Sequence, residues 1–197
     1  MEFFHFCNRL LKKEPKGKMS ELKERKNEPA CMIVFCSFEQ MHYVIEKAKQ
    51  YALVNFMPLV FTKNFSAQVL KANMRVVGNC EYGMLLWRER LPKFRNVGAD
   101  GKHHMVFNQF EWAKDGKTPK IHPTQKPVPL LEKLIQTFTD PGDVVIDPVA
   151  GGGSTLLAAH NLGRKAYGFE IKKEFVKAYE ENFVPLMEQP KQMEIAI

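Results

Sequence analysis

The sequence predicts an α/β protein, and three observations lead to that prediction. Residues 143–171 read as a strand, a glycine turn, a helix and a second strand. Elsewhere, apolar runs that suit strands alternate with segments of helical periodicity. The chain has 197 residues, 45% of them hydrophobic, which is enough for one domain with a real core.

The unit at residues 143–171 begins with the apolar run Val144–Ile146, which is typical of a strand buried on both faces. Gly151–Gly153 follow. Glycine tolerates positive φ and has no side chain, so a ligand can approach this backbone closely. The pattern therefore predicts a ligand-binding turn between a strand and a helix.

The helix after the turn is predicted from its ends. Ser154 or Thr155 is expected to cap it, and it should continue to about Leu162, where Gly163 ends it. Residues 166–169 are predicted as the second strand. The whole unit is then a strand–helix–strand crossover.

Two carboxylates border this unit. Asp147 ends the first strand and Glu170 ends the second. Ligands of parallel sheets bind beyond the carboxyl ends of the strands, so both acids are expected at the ligand edge. Glu170 lies 17 residues after Gly153, close to the offset of a carboxylate that accepts hydrogen bonds from ribose hydroxyls.

The glycine turn does not match the two common phosphate-binding patterns. A dinucleotide fingerprint needs a third glycine where Leu156 stands, and a phosphate-binding loop needs a Gly-Lys-Ser/Thr that is absent from the sequence. A cofactor with a ribose and a cationic or polar tail fits the geometry, and an ordinary crossover with a flexible turn is the alternative. Three consecutive glycines between two strand-end acids favour the cofactor.

The remaining elements are predicted in chain order from their apolar periodicity. They are a helix at residues 3–13, a solvated loop or loose helix at 14–29, a strand at 30–37, a helix at 39–51, a strand at 53–62 that Pro58 bends or places near an edge, a polar loop at 63–80, a strand at 81–88 and a helix at 130–138. We expect residues 63–121 to form hairpins and loops around one returning strand.

A second motif points to a family. His122–Pro127 reads His-Pro-Thr-Gln-Lys-Pro and precedes the predicted helix at 130–138, and Asp147-Pro148 stands directly before the glycine turn. Together these motifs resemble the amino DNA methyltransferases, which methylate the exocyclic amino group of adenine or cytosine. The cofactor motifs come last, as in the circularly permuted β class. The resemblance implies a Rossmann-like sheet with helices on both faces and a site-specific methyltransferase.

The resemblance also implies a site for S-adenosylmethionine (SAM). Its residues would be Thr124, Gln125, Lys126, Asp147, Pro148, Val149, Gly151, Gly153, Ser154, Thr155, Glu170 and Ile171. Glu170 would hold the ribose, and Phe169 or Ile171 would pack on the adenine ring. Val149 stands where the family usually has an aromatic residue.

Charge is concentrated in the middle of the chain. The net charge is +7, and residues 63–126 carry 12 basic and five acidic side chains. On charge alone this would be a basic surface loop, but the resemblance assigns contact with double-stranded DNA to this region. Basic residues there would neutralise phosphates, with Lys63, Lys71 and Arg75 as candidates. We accordingly divide the chain into residues 1–62, a target-recognition insertion at 63–121, and a SAM-binding part at 122–197.

One family motif is absent from the sequence. Amino methyltransferases hold the extruded base with an Asp-Pro-Pro-Tyr type tetrapeptide, and these 197 residues contain none. The nearest is Asn27–Ala30, which lacks the second proline and the aromatic residue. We therefore expect one central strand to be missing, which would leave the sheet centre unpaired or force the strands near 31–36 and 143–147 to pair. An inactive remnant or one half of a split enzyme is the alternative to an active methyltransferase.

Other classes of function are less favoured. The four cysteines lack zinc-site spacing, and no segment has the length of a membrane span, so a cytoplasmic protein with reduced thiols is expected. A DNA-binding module without activity, and a methyltransferase of RNA or a small molecule, stay open. The family often dimerises, so a homodimer or a complementing N-terminal fragment is the expected protein partner.

Overall fold

The computed structural model describes residues 2–14, 28–65, 68–98 and 100–188. The chain divides into two units: unit 1 comprises residues 1–114 and 137–139, and unit 2 comprises residues 115–136 and 140–197. Among the described residues, no helix is long and apolar enough to cross a membrane. Most of the segment predicted as a solvated loop or loose helix, residues 15–27, lies outside the described residues.

Unit 1 is built mainly from strands. Its elements are α1 (Phe3–Leu10), β1 (Met32–Cys36), α2 (Met41–Lys49), β2 (Asn55–Lys63), β3 (Gln68–Lys71), β4 (Val76–Gly78), β5 (Cys80–Trp87) and β6 (Gln109–Trp112). Four of the strands form a sheet in the order β1-β5-β2-β6, in which β5 is antiparallel to both neighbours and β6 runs parallel to β2. The predicted strands at 30–37, 53–62 and 81–88 are confirmed, with ends shifted by one or two residues.

A capping box opens the 3₁₀ turn Phe38–Gln40 directly before helix α2. The backbone N–H of Ser37 donates to Oε1 of Gln40 at 3.0 Å, and the turn then leads into the helix. The apolar side chains of α2 repeat at helical spacing, so that Val44 and Ala48 become buried against Leu53 and strand β5. This packing gives unit 1 one of its cores.

Of the two alternatives predicted for Pro58, a bend or a near-edge position, the second describes its surroundings, although β2 itself lies between β5 and β6. Strand β6 pairs with β2 only over Val60–Lys63, so the β6 side of Pro58 meets no described strand. Proline lacks the N–H that a second ladder would need. The side chain of Asn108 instead donates to the Pro58 carbonyl at 2.9 Å.

The polar loop predicted at 63–80 is wrong in its middle. Residues 68–78 form an antiparallel hairpin, β3–β4, whose strands pair with each other and with no other described strand. A bulge between Val69 and Lys71 shifts the register. The strands are only four and three residues long, too short for alternation to mark them in the sequence.

Unit 2 carries the glycine turn. Its elements are most of α3 (Val128–Phe138), and all of β7 (Val144–Asp147), α4 (Ser154–Asn161), β8 (Lys165–Gly168), α5 (Lys173–Asn182) and α6 (Val184–Glu188). Strands β7 and β8 are parallel and α4 connects them, as the crossover prediction requires. Its buried side chains include Leu131, Leu134, Leu157, Ala158 and Phe183. The sequence reasoning did not predict α5 or α6.

The predicted absence of a central strand concerns β1 and β7, the two strands that would flank it. Among the described strands, β1 pairs only with β5, and β7 pairs only with β8. Each of the two strands therefore keeps one side without a described strand partner.

Candidate functional site

The carboxyl ends of β7 and β8 place two acids at one edge of unit 2. The strands are parallel, and Asp147 pairs in register with Gly168. Glu170 follows Gly168 by two residues, and the N–H of Phe169 donates to the Asp147 carbonyl at 3.0 Å. Both carboxylates thus stand at the edge where ligands of parallel sheets bind.

The glycine turn is tight and uses positive φ twice. Gly151 has φ +53° and Gly153 has φ +79°, values that favour glycine over other residues. The Gly153 N–H donates to the Ala150 carbonyl at 2.8 Å, and the Val149 N–H donates to Oδ1 of Asp147 at 3.0 Å. Asp147 therefore holds the start of the turn as well as ending the strand.

The predicted helix cap at Ser154 or Thr155 is wrong. Gly153 occupies the cap position of α4 in the left-handed conformation, and no side chain caps the helix. Ser154 is already the first helical residue and is buried. The turn is so tight that the chain enters the helix directly from a glycine, one residue before the predicted cap. The predicted end is confirmed, because Gly163 follows the helix at φ +73°.

Glu170 ties the glycine turn to the end of β8. Its Oε2 accepts the N–H of Gly151 at 2.9 Å, and its Oε1 accepts the N–H of Lys172 at 2.8 Å. The hydrogen bond from Lys172, followed by that from Gly151, lowers the pKa of the Glu170 carboxyl against the opposing effect of burial. The carboxylate is therefore held in its charged form at the ligand edge.

The His-Pro-Thr-Gln turn is closed by its own glutamine. Oε1 of Gln125 accepts the N–H groups of Ile121 at 2.8 Å and His122 at 3.3 Å, and its Nε2 donates to the Pro119 carbonyl at 2.9 Å. The N–H of Thr124 donates to Nδ1 of His122 at 3.2 Å. Gln125 thus shapes the turn, and the exposed Thr124 stands at its surface.

The two turns lie against each other. A Cβ added to Gly151 would come within 3.6 Å of the His122 ring, and one added to Gly152 would come within 3.0 Å of Cβ of Ile121. The absence of side chains at these glycines therefore allows the close approach. The His122 ring also contacts the Phe175 ring on α5, with 4.4 Å between centroids.

Apolar side chains remain exposed around the acids. Val149 is 67% exposed, Phe169 46% and Ile171 95%. Of the other predicted site residues, Pro148, Thr155, Gln125 and Lys126 are half-buried. The arrangement offers a carboxylate beside apolar surface, which suits a nucleoside.

Sequence reasoning missed Tyr179 on α5. A Cβ at Gly153 would lie 2.2 Å from Cδ2 of Tyr179, so this ring covers the glycine turn directly. Burial raises the pKa of the Tyr179 hydroxyl, which donates to Sδ of Met187 at 3.5 Å. Aromatic residues at 175, 179 and 183 repeat every four positions, so a helical face could have been found from the sequence.

The basic residues of the middle region differ in their surroundings. Nζ of Lys63 lies 4.9 Å above the Trp112 ring and 2.6 Å from Oε1 of Glu81, so its charge is already paired. Arg75 is exposed at φ +54° at the tip of the β3–β4 hairpin, and Lys71 is the last residue of β3. The DNA-contact role of all three stays a prediction.

A hollow lies at the base of the hairpin. It has a volume of about 450 Å³, and its lining includes Lys63, Asn64, Phe65, Val77 and Asn79. Nζ of Lys114 lies 4.9 Å above the Phe65 ring. The lining combines one paired lysine, two amides and an aromatic face, and groups of these kinds contact nucleic acids.

His103 and His104 are held within their own loop. Nδ1 of His103 is 2.8 Å from Oδ1 of Asn96, and Nε2 of His104 is 2.9 Å from Oδ1 of Asp100. The hydrogen bond from His104 lowers the pKa of Asp100. Within the described residues, no group of three or more metal-ligating side chains comes together.

Comparison with known proteins identifies the family. A model of the N6/N4 DNA methylase family matches residues 4–181, which is most of the chain. The chain belongs to this family. The match includes both motif turns and the hairpin, so units 1 and 2 both carry family sequence.

Relatives and solved structures agree with the family. The type II methyltransferase M.BglII of Bacillus subtilis is 32% identical over 134 residues, 54% of this chain and 37% of the relative. The provisionally named methylase YubD of Escherichia coli (strain K12) is 34% identical over 120 residues, 61% of this chain and 47% of the relative. The aligned regions thus span half or less of the length of these curated relatives.

Among solved structures, the M1.HpyAVI–SAM complex is 26% identical at a TM-score of 0.61, covering 77% of this chain and 72% of that one. The cytosine-N4-specific PvuII DNA methyltransferase has a TM-score of 0.63 at 18% identity, covering 83% of this chain and 65% of that one. The second likeness supports the fold alone. The α/β fold predicted from the sequence is therefore that of SAM-dependent methyltransferases.

Proposed function

We propose that this protein binds SAM at the edge of β7 and β8. We further propose that the bound SAM is used for the methylation of an exocyclic amino group, on adenine or cytosine, in double-stranded DNA. The observation that carries the proposal is the convergence of the His-Pro-Thr-Gln turn, the glycine turn and Glu170 within unit 2. A family of DNA methylases whose model matches residues 4–181 supports it.

The residues of the site fit SAM chemically. Each Glu170 oxygen accepts one backbone N–H, and a carboxylate oxygen has a second lone pair for a ribose hydroxyl. Phe169 and Ile171 expose apolar surface beside it for an adenine ring. Asp147 adds negative charge near a cofactor that carries a sulfonium and an ammonium group. SAM would supply an activated methyl group, and the residues of this chain would bind and orient it.

The roles of the other site residues follow from their positions. Thr124, Gln125 and Lys126 would line the methionine end of SAM, with Gln125 acting through the shape of the turn it closes. Pro148, Val149, Gly151, Gly153, Ser154 and Thr155 would form the strand-to-helix wall of the site. Two of the six residues are glycines with positive φ, so the shape of the wall depends on the backbone at these positions.

The proposal for the target rests on charge and family. Residues 63–126 hold an excess of basic side chains, and the hollow at the hairpin base presents amides and an aromatic face. Such surfaces neutralise phosphates and contact bases. We propose that the segment at 63–121 contacts duplex DNA.

A second candidate has its own support. The sequence contains no Asp-Pro-Pro-Tyr tetrapeptide, and β1 and β7 each keep one side without a described strand partner. We therefore keep a second proposal, in which the chain alone binds SAM and DNA without transferring methyl groups. A complementing N-terminal fragment or a second copy would then supply the missing group.

Calorimetry tests the SAM site. Glu170→Ala is expected to weaken SAM binding about tenfold or more, because it removes a charged hydrogen-bond acceptor. Glu180→Ala, which removes an exposed carboxylate from α5, is the matched control and should bind as the wild type does. Equal affinity of Glu170→Ala and the wild type would refute the assignment of Glu170.

Methyl transfer separates the two candidates. The purified chain is incubated with duplex DNA and SAM labelled in its methyl group, and the label on DNA is counted. Transfer that Glu170→Ala abolishes would establish an active methyltransferase. Tight SAM and DNA binding without transfer would favour the non-catalytic proposal, and added N-terminal fragment should then restore transfer.

A further inference from the structure

The tip of the β3–β4 hairpin exposes an apolar side chain beside a cation. Met74 is 73% exposed, and Asn73 and Arg75 on either side are exposed too. The next residues, Val76 and Val77, are 41% and 42% exposed. Apolar side chains that are exposed close together mark contact surfaces more often than single exposed apolar residues do.

The backbone at the tip is strained. Arg75 has φ +54°, a left-handed conformation that a residue other than glycine rarely adopts. It follows a 3₁₀ turn at Ala72–Met74, so the strain lies at the point where the hairpin reverses. Strain in a non-glycine residue persists where the surroundings or the function require it.

The hairpin is also isolated within the sheet structure. Its two strands pair with each other and with no other described strand, whereas β2 and β5 on either side of it belong to the four-stranded sheet. A separate two-stranded element with an exposed apolar residue at its tip and an adjacent cation resembles the elements from which apolar side chains enter DNA between base steps. The surrounding segment is positively charged, which favours a negatively charged partner such as DNA over an apolar partner.

We propose that the hairpin tip is a wedge that enters duplex DNA, with Met74 inserted between bases and Arg75 on a neighbouring phosphate. This inference rests on the proposed DNA substrate and adds the means by which the duplex is opened. Enzymes that act on a base inside a duplex must first unstack it, and an apolar wedge offsets part of that cost.

A disrupted duplex tests the wedge without knowledge of the recognised sequence. Affinity is measured by fluorescence anisotropy for a mixed-sequence duplex and for the same duplex with one abasic site. A wedge prefers the abasic duplex, because less stacking is lost, and we expect a preference of about tenfold for the wild type. Met74→Ala should bring this ratio to about one, whereas Met74→Leu should keep it.

The matched control is Met57→Ala, which removes a methionine that is 43% exposed outside the segment at 63–121. It should keep the wild-type ratio. A wild-type ratio of one, or an unchanged ratio in Met74→Ala, would overturn the wedge while leaving DNA binding intact. Failure of the wild type to bind either duplex would instead remove the proposed DNA substrate.

A second copy of the chain is the alternative partner for the apolar tip. Sedimentation of the wild type and Met74→Ala distinguishes this partner from DNA. If Met74→Ala changed the oligomeric state and left the abasic preference unchanged, the tip would be a protein contact and the wedge would be wrong. An unchanged oligomeric state with a lost preference supports the wedge.

Discussion

At the scale of single residues, Glu170 does two things with one carboxylate. It holds the glycine turn through Gly151 and the residue before α5 through Lys172, and it keeps its charge at the ligand edge. A side chain that shapes a turn before a ligand arrives reduces the ordering that binding requires.

The lowered pKa of Glu170 predicts a pH dependence. A carboxyl whose folded pKa lies below its ordinary value of 4.5 stabilises the fold above that value, and the contribution is lost as pH falls through the folded pKa. Urea unfolding of the wild type and Glu170→Gln should therefore differ by a constant free energy near neutral pH. The difference should shrink as pH falls below 4.5. A difference that grew on acidification would contradict this sign.

Two glycines with positive φ provide a matched pair. Gly163→Ala meets open space at φ +73° and should cost about 1 kcal/mol of the free energy of unfolding, from backbone strain alone. Gly153→Ala has φ +79° and also meets Tyr179 at 2.2 Å, so it should cost about 3 kcal/mol or more. Urea unfolding followed by circular dichroism measures both, and equal costs would mean that Tyr179 moves aside freely.

At the scale of elements, helix α3 depends on a distant cap. Oδ2 of Asp115 accepts the N–H of Val128 at 3.1 Å, and its Oδ1 accepts the N–H groups of Lys117 and Thr118 at 3.1 and 3.0 Å. Burial acts to raise the pKa of Asp115, but the hydrogen bonds, led by Thr118, outweigh it and lower the pKa. One carboxylate thus fixes both a turn and a helix start.

Removal of this cap should destabilise unit 2. Asp115→Ala is expected to lower the free energy of unfolding by about 1–2 kcal/mol, the usual cost of losing a helix cap. Glu111→Ala, an exposed carboxylate on β6, is the control and should change stability little. Thermal unfolding by circular dichroism compares the two, and equal shifts would exclude a capping role.

The sequence predicted the elements whose signals are local. Val144–Ile146 and Met32–Cys36 are continuous apolar runs, and Val44 with Ala48 marks a helical face, so these elements are confirmed. The predicted burial of Val144–Ile146 on both faces is wrong at Val144, which is 52% exposed. The convergence of Glu170 with the glycine turn is observed where parallel-strand geometry placed it.

What the sequence could not predict depends on contacts distant along the chain or on backbone conformation. Asp115 caps Val128 from 13 residues away, which no local pattern records. The cap at Ser154 was misassigned because the left-handed conformation of Gly153 is decided by the turn. Hairpins were expected at 63–121, but this one was not located within the polar loop at 63–80, because its strands are only four and three residues long.

At the scale of the whole molecule, the basic excess lies ahead of the glycine turn and Glu170, in a segment that ends within the His-Pro-Thr-Gln-Lys motif. Residues 63–126 have the basic excess, whereas residues 127–197 carry seven basic and ten acidic side chains. A basic segment attracts DNA, and an acidic segment suits a cofactor with cationic groups.

DNA affinity should therefore depend strongly on salt through the basic segment. Arg75→Ala is expected to reduce the slope of log affinity against log salt by about one, the value for losing one phosphate contact. Lys177→Ala, which removes an exposed cation from α5, should leave the slope unchanged. Titrations of a labelled duplex at several salt concentrations measure the slope, and an unchanged slope in Arg75→Ala would exclude a phosphate contact by Arg75.

The division into two units has a spectroscopic consequence. The chain has two tryptophans, Trp87 and Trp112, and both belong to unit 1. Indole emission therefore reports the melting of unit 1 alone, whereas helical ellipticity reports both units. The two denaturation curves will coincide only if the units melt as one cooperative body.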